Sequence, residues 1–181
     1  MPDVSPELVW WLVSRASALA AYCALCIAML SGIALRTSVL DFLATNRALR
    51  SLHDFTIWIW IPLAAAHVGA LLLDPIAQVG VVDVVVPFRM PYGTLPIGLG
   101  TAALDLVVVI AVTGWVRLRM DASLWRVIHR VSYVAFVALF LHAFLSGTDF
   151  DTPLISALSW SAAAGIALLA ASRILLGRLP E

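Results

Sequence analysis

An all-α membrane bundle of about five transmembrane helices is the fold class this sequence predicts, on three observations. Hydrophobic residues make up 62% of the 181 and charged residues only 12%, where soluble domains average about 25% charged. The apolar residues gather into long runs, each near or above the ~20 residues needed to cross a bilayer. Arginines collect in the connections on one side of those runs and acids on the other, as cytoplasmic and outer loops do.

The first helix is expected over 7–35. Its Cys23-x-x-Cys26 lies inside YCALCIAML, an apolar setting that fits two small buried thiols better than a redox or zinc site. The preceding MPDVSPELVWW is acidic and has no positive n-region, so a cleaved signal peptide is not expected. Arg15 sits inside this helix, where an arginine must snorkel to the headgroups or meet an anion. The second helix is expected over 52–73, the third over 95–116, the fourth over 125–146 and the fifth over 153–176. Together they read as one transmembrane domain over 1–181, without room for a separate soluble domain. Asp105, within the third helix, is expected to pair with Arg15 or to be held neutral by burial, rather than to serve a proton path. The longest connection, 74–94, is too apolar for a free loop and is broken by Pro87 and Pro91. A short interfacial or re-entrant segment is expected there.

Orientation follows from the arginines. Arg36, Arg47 and Arg50 lie between the first two helices, and Arg117, Arg119 and Arg126 between the third and fourth, with Arg130 just beyond. Arg173 and Arg178 close the chain. The opposite side carries Arg89 and the acids Asp3, Glu7, Asp74, Asp83, Asp149 and Asp151. The N-terminus is therefore expected outside and the C-terminus in the cytoplasm of a plasma (bacterial inner) membrane. A formal charge of zero argues against a nucleic-acid partner.

The chain has 4 histidines, and all fall on two of these helices: His53 and His67 on the second, His129 and His142 on the fourth. Histidine inside a membrane span is costly and points to function. The separations of 14 and 13 steps correspond to roughly 21 and 20 Å of helix, within a hydrocarbon core of about 30 Å. Each helix thus carries one imidazole per leaflet, at matching depths. Two haems b fit that pattern, each iron held axially by one imidazole from each helix. Facing is less regular. At about 100° per residue, 14 steps return to within roughly 40° of the start, whereas 13 steps miss by about 140°. A π-bulge or a tighter turn in the fourth helix would reduce the miss, or the two haems approach that helix from different sides. Arg50 and Arg126 each stand three residues before the first histidine of their helix. At that spacing a guanidinium shares the histidine's face and suits a haem propionate, unless it only flanks a helix end. Arg15 is a further propionate candidate, for the outer haem.

The strings LHDF…AAAHVGALLLD and WRVIHRVSY…LHAFLSGTD resemble the ferric reductase-like transmembrane domain. That is the membrane haem domain of NADPH oxidases, ferric-chelate reductases and bacterial methionine-sulfoxide reductase haem subunits. The likeness covers roughly 15–150. It implies two b-type haems, the inner one on His53 and His129 and the outer one on His67 and His142. It also implies electron transfer from the cytoplasmic side to an acceptor outside. No G-x-G-x-x-G or phosphate loop occurs in the sequence, so the donor is expected to be a separate flavoprotein or quinol. Two other readings stay open: a non-catalytic haem-binding or anchoring subunit of a membrane redox complex, and a quinone-linked cytochrome b.

Overall fold

The structure, a computed structural model, describes residues 5–35 and 44–175. Asp3, Arg36 and Arg178, which entered the orientation argument, lie outside the described residues. Within them the protein is all-helical, and five helices are long and apolar enough to cross a membrane. Large apolar side chains point outward along these helices. Trp58 is 74% exposed and Trp115 88%, which only an apolar surrounding tolerates on this scale.

The chain divides into two compact units. The first holds α1 (Pro6–Ala34), α2 (Asn46–Leu73) and α7 (Pro153–Leu175). Ser5 caps α1, accepting the Leu8 N–H at 3.4 Å, with Pro6 at the first helical position. Thr45 caps α2, accepting the Ala48 N–H at 3.3 Å. This cap moves the start of α2 six residues ahead of the hydropathy-based expectation, so Arg47 and Arg50 ride on the helix itself. Its first turns are polar, and a hydropathy reading does not see polar turns. α7 lies against α1 near Leu30, whose Cδ2 would be 3.9 Å from a Cβ at Gly165.

α1 and α2 pack through a sustained heptad pattern. On α1 the residues at 14, 17, 21, 24, 28 and 31 are Ser, Ser, Ala, Ala, Ala and Ser, and all are buried. Alternate steps of three and four make a seam, and small side chains let the backbones approach closely. On α2 the matching seam runs through Leu49, His53, Thr56, Trp60, His67 and Ala70. Fourteen residues are two heptads, so in a pair wound at 3.5 residues per turn His53 and His67 return to one face. Both histidines accordingly reach carbonyls of α1. The two helices run antiparallel, with Ser14 against His67 and His53 against Ala28. That register puts Ala21 level with Trp60. Large residues of α2 therefore meet small ones of α1, layer by layer.

The second unit spans Val79–Pro153. A short helix, α3 (Val81–Val85), interrupts the long apolar connection. The Asp83 carboxylate accepts from the Gly80 N–H at 2.9 Å and from Arg89 Nε at 3.0 Å. Thr101 Oγ donates to the Asp83 carbonyl at 3.0 Å, tying the connection to α4 (Thr94–Trp115). Phe88, with a φ of 61°, lays its ring on Gly98 of α4, where no Cβ would fit. The stretch expected as one helix over 125–146 is one span, Ala122–Ser146, in which α5 (Ala122–Arg130) and α6 (Ser132–Ser146) join at Val131. Between them the Val131 N–H bonds to the Ile128 carbonyl at 3.0 Å, a turn tighter than α-helical. Each residue wound at about 3.0 per turn adds roughly 20° over the α-helical step. The 140° miss between His129 and His142 shrinks by that route.

Candidate functional site

All four histidines are half-buried, and three are fixed in the same way. His53 Nδ1 lies 2.8 Å from the Ala28 carbonyl of α1. His67 Nδ1 lies 3.0 Å from the Ser14 carbonyl, with Ser14 Oγ at 3.1 Å. His142 Nδ1 lies 2.8 Å from the Pro96 carbonyl of α4. A carbonyl can only accept, so Nδ1 carries the proton in each ring and Nε2 carries the lone pair. Metal-ligating histidines are held in this manner, one ring N–H given to a backbone carbonyl and the other nitrogen facing the metal.

Two of the three rings also lie on a glycine one helical turn beyond the accepting carbonyl. A Cβ at Gly32 would stand 3.0 Å from His53 Cε1 and 3.1 Å from its Nδ1. At Gly100 the crowding is worse, 2.6 Å from His142 Nδ1 and 2.7 Å from its Cε1. Carbonyl and glycine are four residues apart in both cases, Ala28 with Gly32 and Pro96 with Gly100. They share a helix face, the carbonyl holding the ring's edge and the bare glycine receiving its plane. The seat is thus built from backbone.

His129 is placed differently. Its ring stacks on Trp125, with centroids 5.1 Å apart and planes at 20°. The Arg117 guanidinium lies over the Trp125 ring, 5.9 Å from its centroid. Asp121 starts this helix, its carboxylate accepting the Ser123 and Leu124 N–H groups at 2.9 and 3.0 Å and the Ser123 hydroxyl. The Ser123 hydroxyl above all, then the two N–H groups, hold the Asp121 carboxyl below the usual carboxylate range. Trp125 Nε1 is buried and meets no acceptor among the described residues.

Of the arginines singled out from sequence, Arg50 and Arg126 are exposed, each one turn before its histidine on α2 and α5. The intended shared faces therefore exist. Arg15 sets its guanidinium over the Trp11 ring at 4.2 Å. It directly follows Ser14, the seat of His67. Cys26 is buried and Cys23 exposed, both as thiols. No group of three or more His, Cys, Asp or Glu side chains gathers among the described residues. What the helices offer is single, oriented imidazoles.

Residues 8–149 match the model of a family described as a domain of unknown function, DUF8596. The chain belongs to this family. No curated protein and no solved structure matches the chain. The stretch matched to the DUF8596 domain takes in the four histidines and their seats at Ser14, Ala28, Gly32, Pro96 and Gly100, and ends before α7.

Those seats went unread in the sequence. For Ser14 and Ala28 a signal existed: the seam of small residues on α1 repeats with the histidine interval of 14. Hydropathy alone passes over it, because alanine and serine look like filler in a span. Gly100 and Pro96 carry no comparable pattern.

Proposed function

We propose that this chain is a dihaem b-type membrane protein that passes electrons across the membrane, from a cytoplasmic-side donor to an outer-side acceptor. The observation that carries the proposal is the shared tautomer of His53, His67 and His142. Each gives its Nδ1–H to a helix carbonyl of its own unit, which leaves Nε2 as the ligating nitrogen. Such a bond also orients the ring and makes it more basic. The glycines at 32 and 100 leave the ring planes unobstructed by side chains. Trp125 Nε1–H, buried without an acceptor among the described residues, is a donor for a propionate, and Arg50, Arg126 and Arg15 are candidate cationic partners for propionates. These residues fit a b-type haem.

The ligand pairs proposed are those that the sequence spacing and the arginine-based orientation suggest: His53 with His129 for the inner haem, His67 with His142 for the outer one. Imidazoles from both helices would hold a bound haem for outer-sphere electron transfer rather than oxygen binding. The chain's own work is then to hold imidazoles, exclude water with its apolar spans and pair the propionates. The resemblance to the ferric reductase-like transmembrane domain supports the same reading. The arginine distribution supports an N-terminus outside and a C-terminus in the cytoplasm of a plasma (bacterial inner) membrane. A separate flavoprotein or quinol would supply electrons.

The test is a haem assay and optical spectrum on protein produced with ample haem. Two low-spin haems b per chain are expected, and an absence of haem would end this reading. Reporter fusions at Glu181 and within 149–151 should report opposite sides of the membrane.

A further inference from the structure

The carbonyls that seat His53 and His67 have a second side-chain donor in common. Ser31 Oγ shares its one proton between the Ile27 carbonyl at 2.7 Å and, as the longer branch, the Ala28 carbonyl at 3.1 Å. Ser17 Oγ likewise shares its proton between the Val13 carbonyl at 2.5 Å and the Ser14 carbonyl at 3.2 Å. Ala28 and Ser14 are the acceptors of the His53 and His67 Nδ1–H groups. The two arrangements are two heptads apart on α1, as the histidines are on α2. In each, the serine stands three residues after the seat, and Ser17 and Ser31 are 7% and 3% exposed.

A backbone carbonyl has two lone pairs. Inside an α-helix one of them already accepts the N–H four residues on. The imidazole N–H and the serine hydroxyl must therefore share what remains. Each donor that approaches the oxygen withdraws electron density and weakens the others' hold. The seat of His142 lacks this device, since the residue three beyond Pro96 is Leu99.

Resting on the dihaem reading, we infer that Ser17 and Ser31 are positioning residues that set the electron-donating power of His67 and His53 through the shared carbonyls. Without the hydroxyl, the carbonyl pulls harder on the Nδ1 proton. The imidazole becomes a stronger donor at Nε2 and favours ferric over ferrous iron. The haem potential falls. The serines thus hold both potentials above the value that a bare carbonyl seat gives.

The experiment is a spectroelectrochemical titration of the purified holoprotein and its variants. Ser31→Ala lowers the midpoint potential of the haem population that is lost in His53→Ala, and leaves the other in place. Ser17→Ala does the same for the population lost in His67→Ala. Ser31→Thr and Ser17→Thr keep a hydroxyl and restore the wild-type potentials, which a role in packing alone would not require. Ser31→Cys and Ser17→Cys are close in size, donate weakly and shift the potential in the same direction by less. They carry the test where an alanine variant fails to assemble. Unchanged potentials in variants that hold both haems would overturn this inference and leave the dihaem reading standing. A wild-type chain without haem would overturn both.

Discussion

The unit of α1, α2 and α7 holds its two histidines by one repeated arrangement, whereas the 79–153 unit holds its two by unlike means. On α1 the seats at Ser14 and Ala28 recur after two heptads, and an antiparallel α2 presents His67 and His53 to them in strict register. In the other unit His142 has a carbonyl and glycine seat on α4, while His129 leans on the indole of Trp125. The span between those two tightens at Val131, where α5 meets α6. The difference follows from spacing. Fourteen residues close a whole number of heptads, so one helix can serve both histidines of α2 with the same device. Thirteen cannot, so the second pair needs a tight turn and two separate solutions.

The largest effects should come from removing imidazoles. His53→Ala or His129→Ala should abolish one haem population and keep the other, and His67→Ala or His142→Ala should do the reverse, read as haem content and optical spectrum. Loss of the same population in His53→Ala and His67→Ala would break the pairing.

Next in size are the glycines, which sharpen the contrast between the units. Gly100→Ala drives a Cβ to 2.6 Å from His142 Nδ1, and Gly32→Ala only to 3.0 Å from His53 Cε1. Overpacking of this kind costs about 1–3 kcal/mol, with Gly100→Ala at the upper end and Gly32→Ala at the lower. Thermal unfolding in detergent should rank the variants in that order. Equal destabilisation would mean that the His142 ring can move aside.

A smaller effect is expected at Trp125. Trp125→Phe keeps a ring against His129 and should retain the spectrum of the haem proposed there, while Trp125→Ala should broaden or shift it. An unchanged spectrum in Trp125→Ala would assign the placement of His129 to something other than the stack.

The smallest effect belongs to the cap of α5. The folded-state carboxyl of Asp121 is held below its ordinary range, chiefly by the Ser123 hydroxyl. Its contribution is therefore complete above the unfolded value of about 3.9 and is lost as pH falls through the lower folded value. Helix α5 should keep its cap at pH 5 and loosen only in stronger acid, followed by Trp125 fluorescence. Asp121→Asn, which keeps an acceptor oxygen, should flatten that acid dependence.

Much of this architecture is legible in the sequence. Length and hydropathy suffice for the five spans, because a bilayer demands long apolar helices and little else satisfies it. Histidine stands out because it is costly in such a span. Helix ends were harder: the polar first turns of α2 belong to the helix through the Thr45 cap, not through hydropathy. The tight turn at Val131, within the fourth span, is one that no residue type announces. Gly32 and Gly100 read as ordinary small residues until the facing imidazoles are placed, since a close approach depends on the neighbouring helix. The connection at 74–94 shows the same limit. Its apolar character is plain, yet the tie from Thr101 to the Asp83 carbonyl arises only from the fold.

In the proposed dihaem arrangement His53, His67 and His142 would bind iron through Nε2 while Nδ1–H is held by a helix carbonyl. Pulsed EPR on the oxidised holoprotein, with histidine labelled with nitrogen-15 at either ring position, tests it directly. Low-spin ferric signals are expected, with strong nitrogen coupling predominantly from Nε2 and an exchangeable proton on Nδ1. Strong coupling predominantly from Nδ1, or no low-spin haem signal at all, would contradict it.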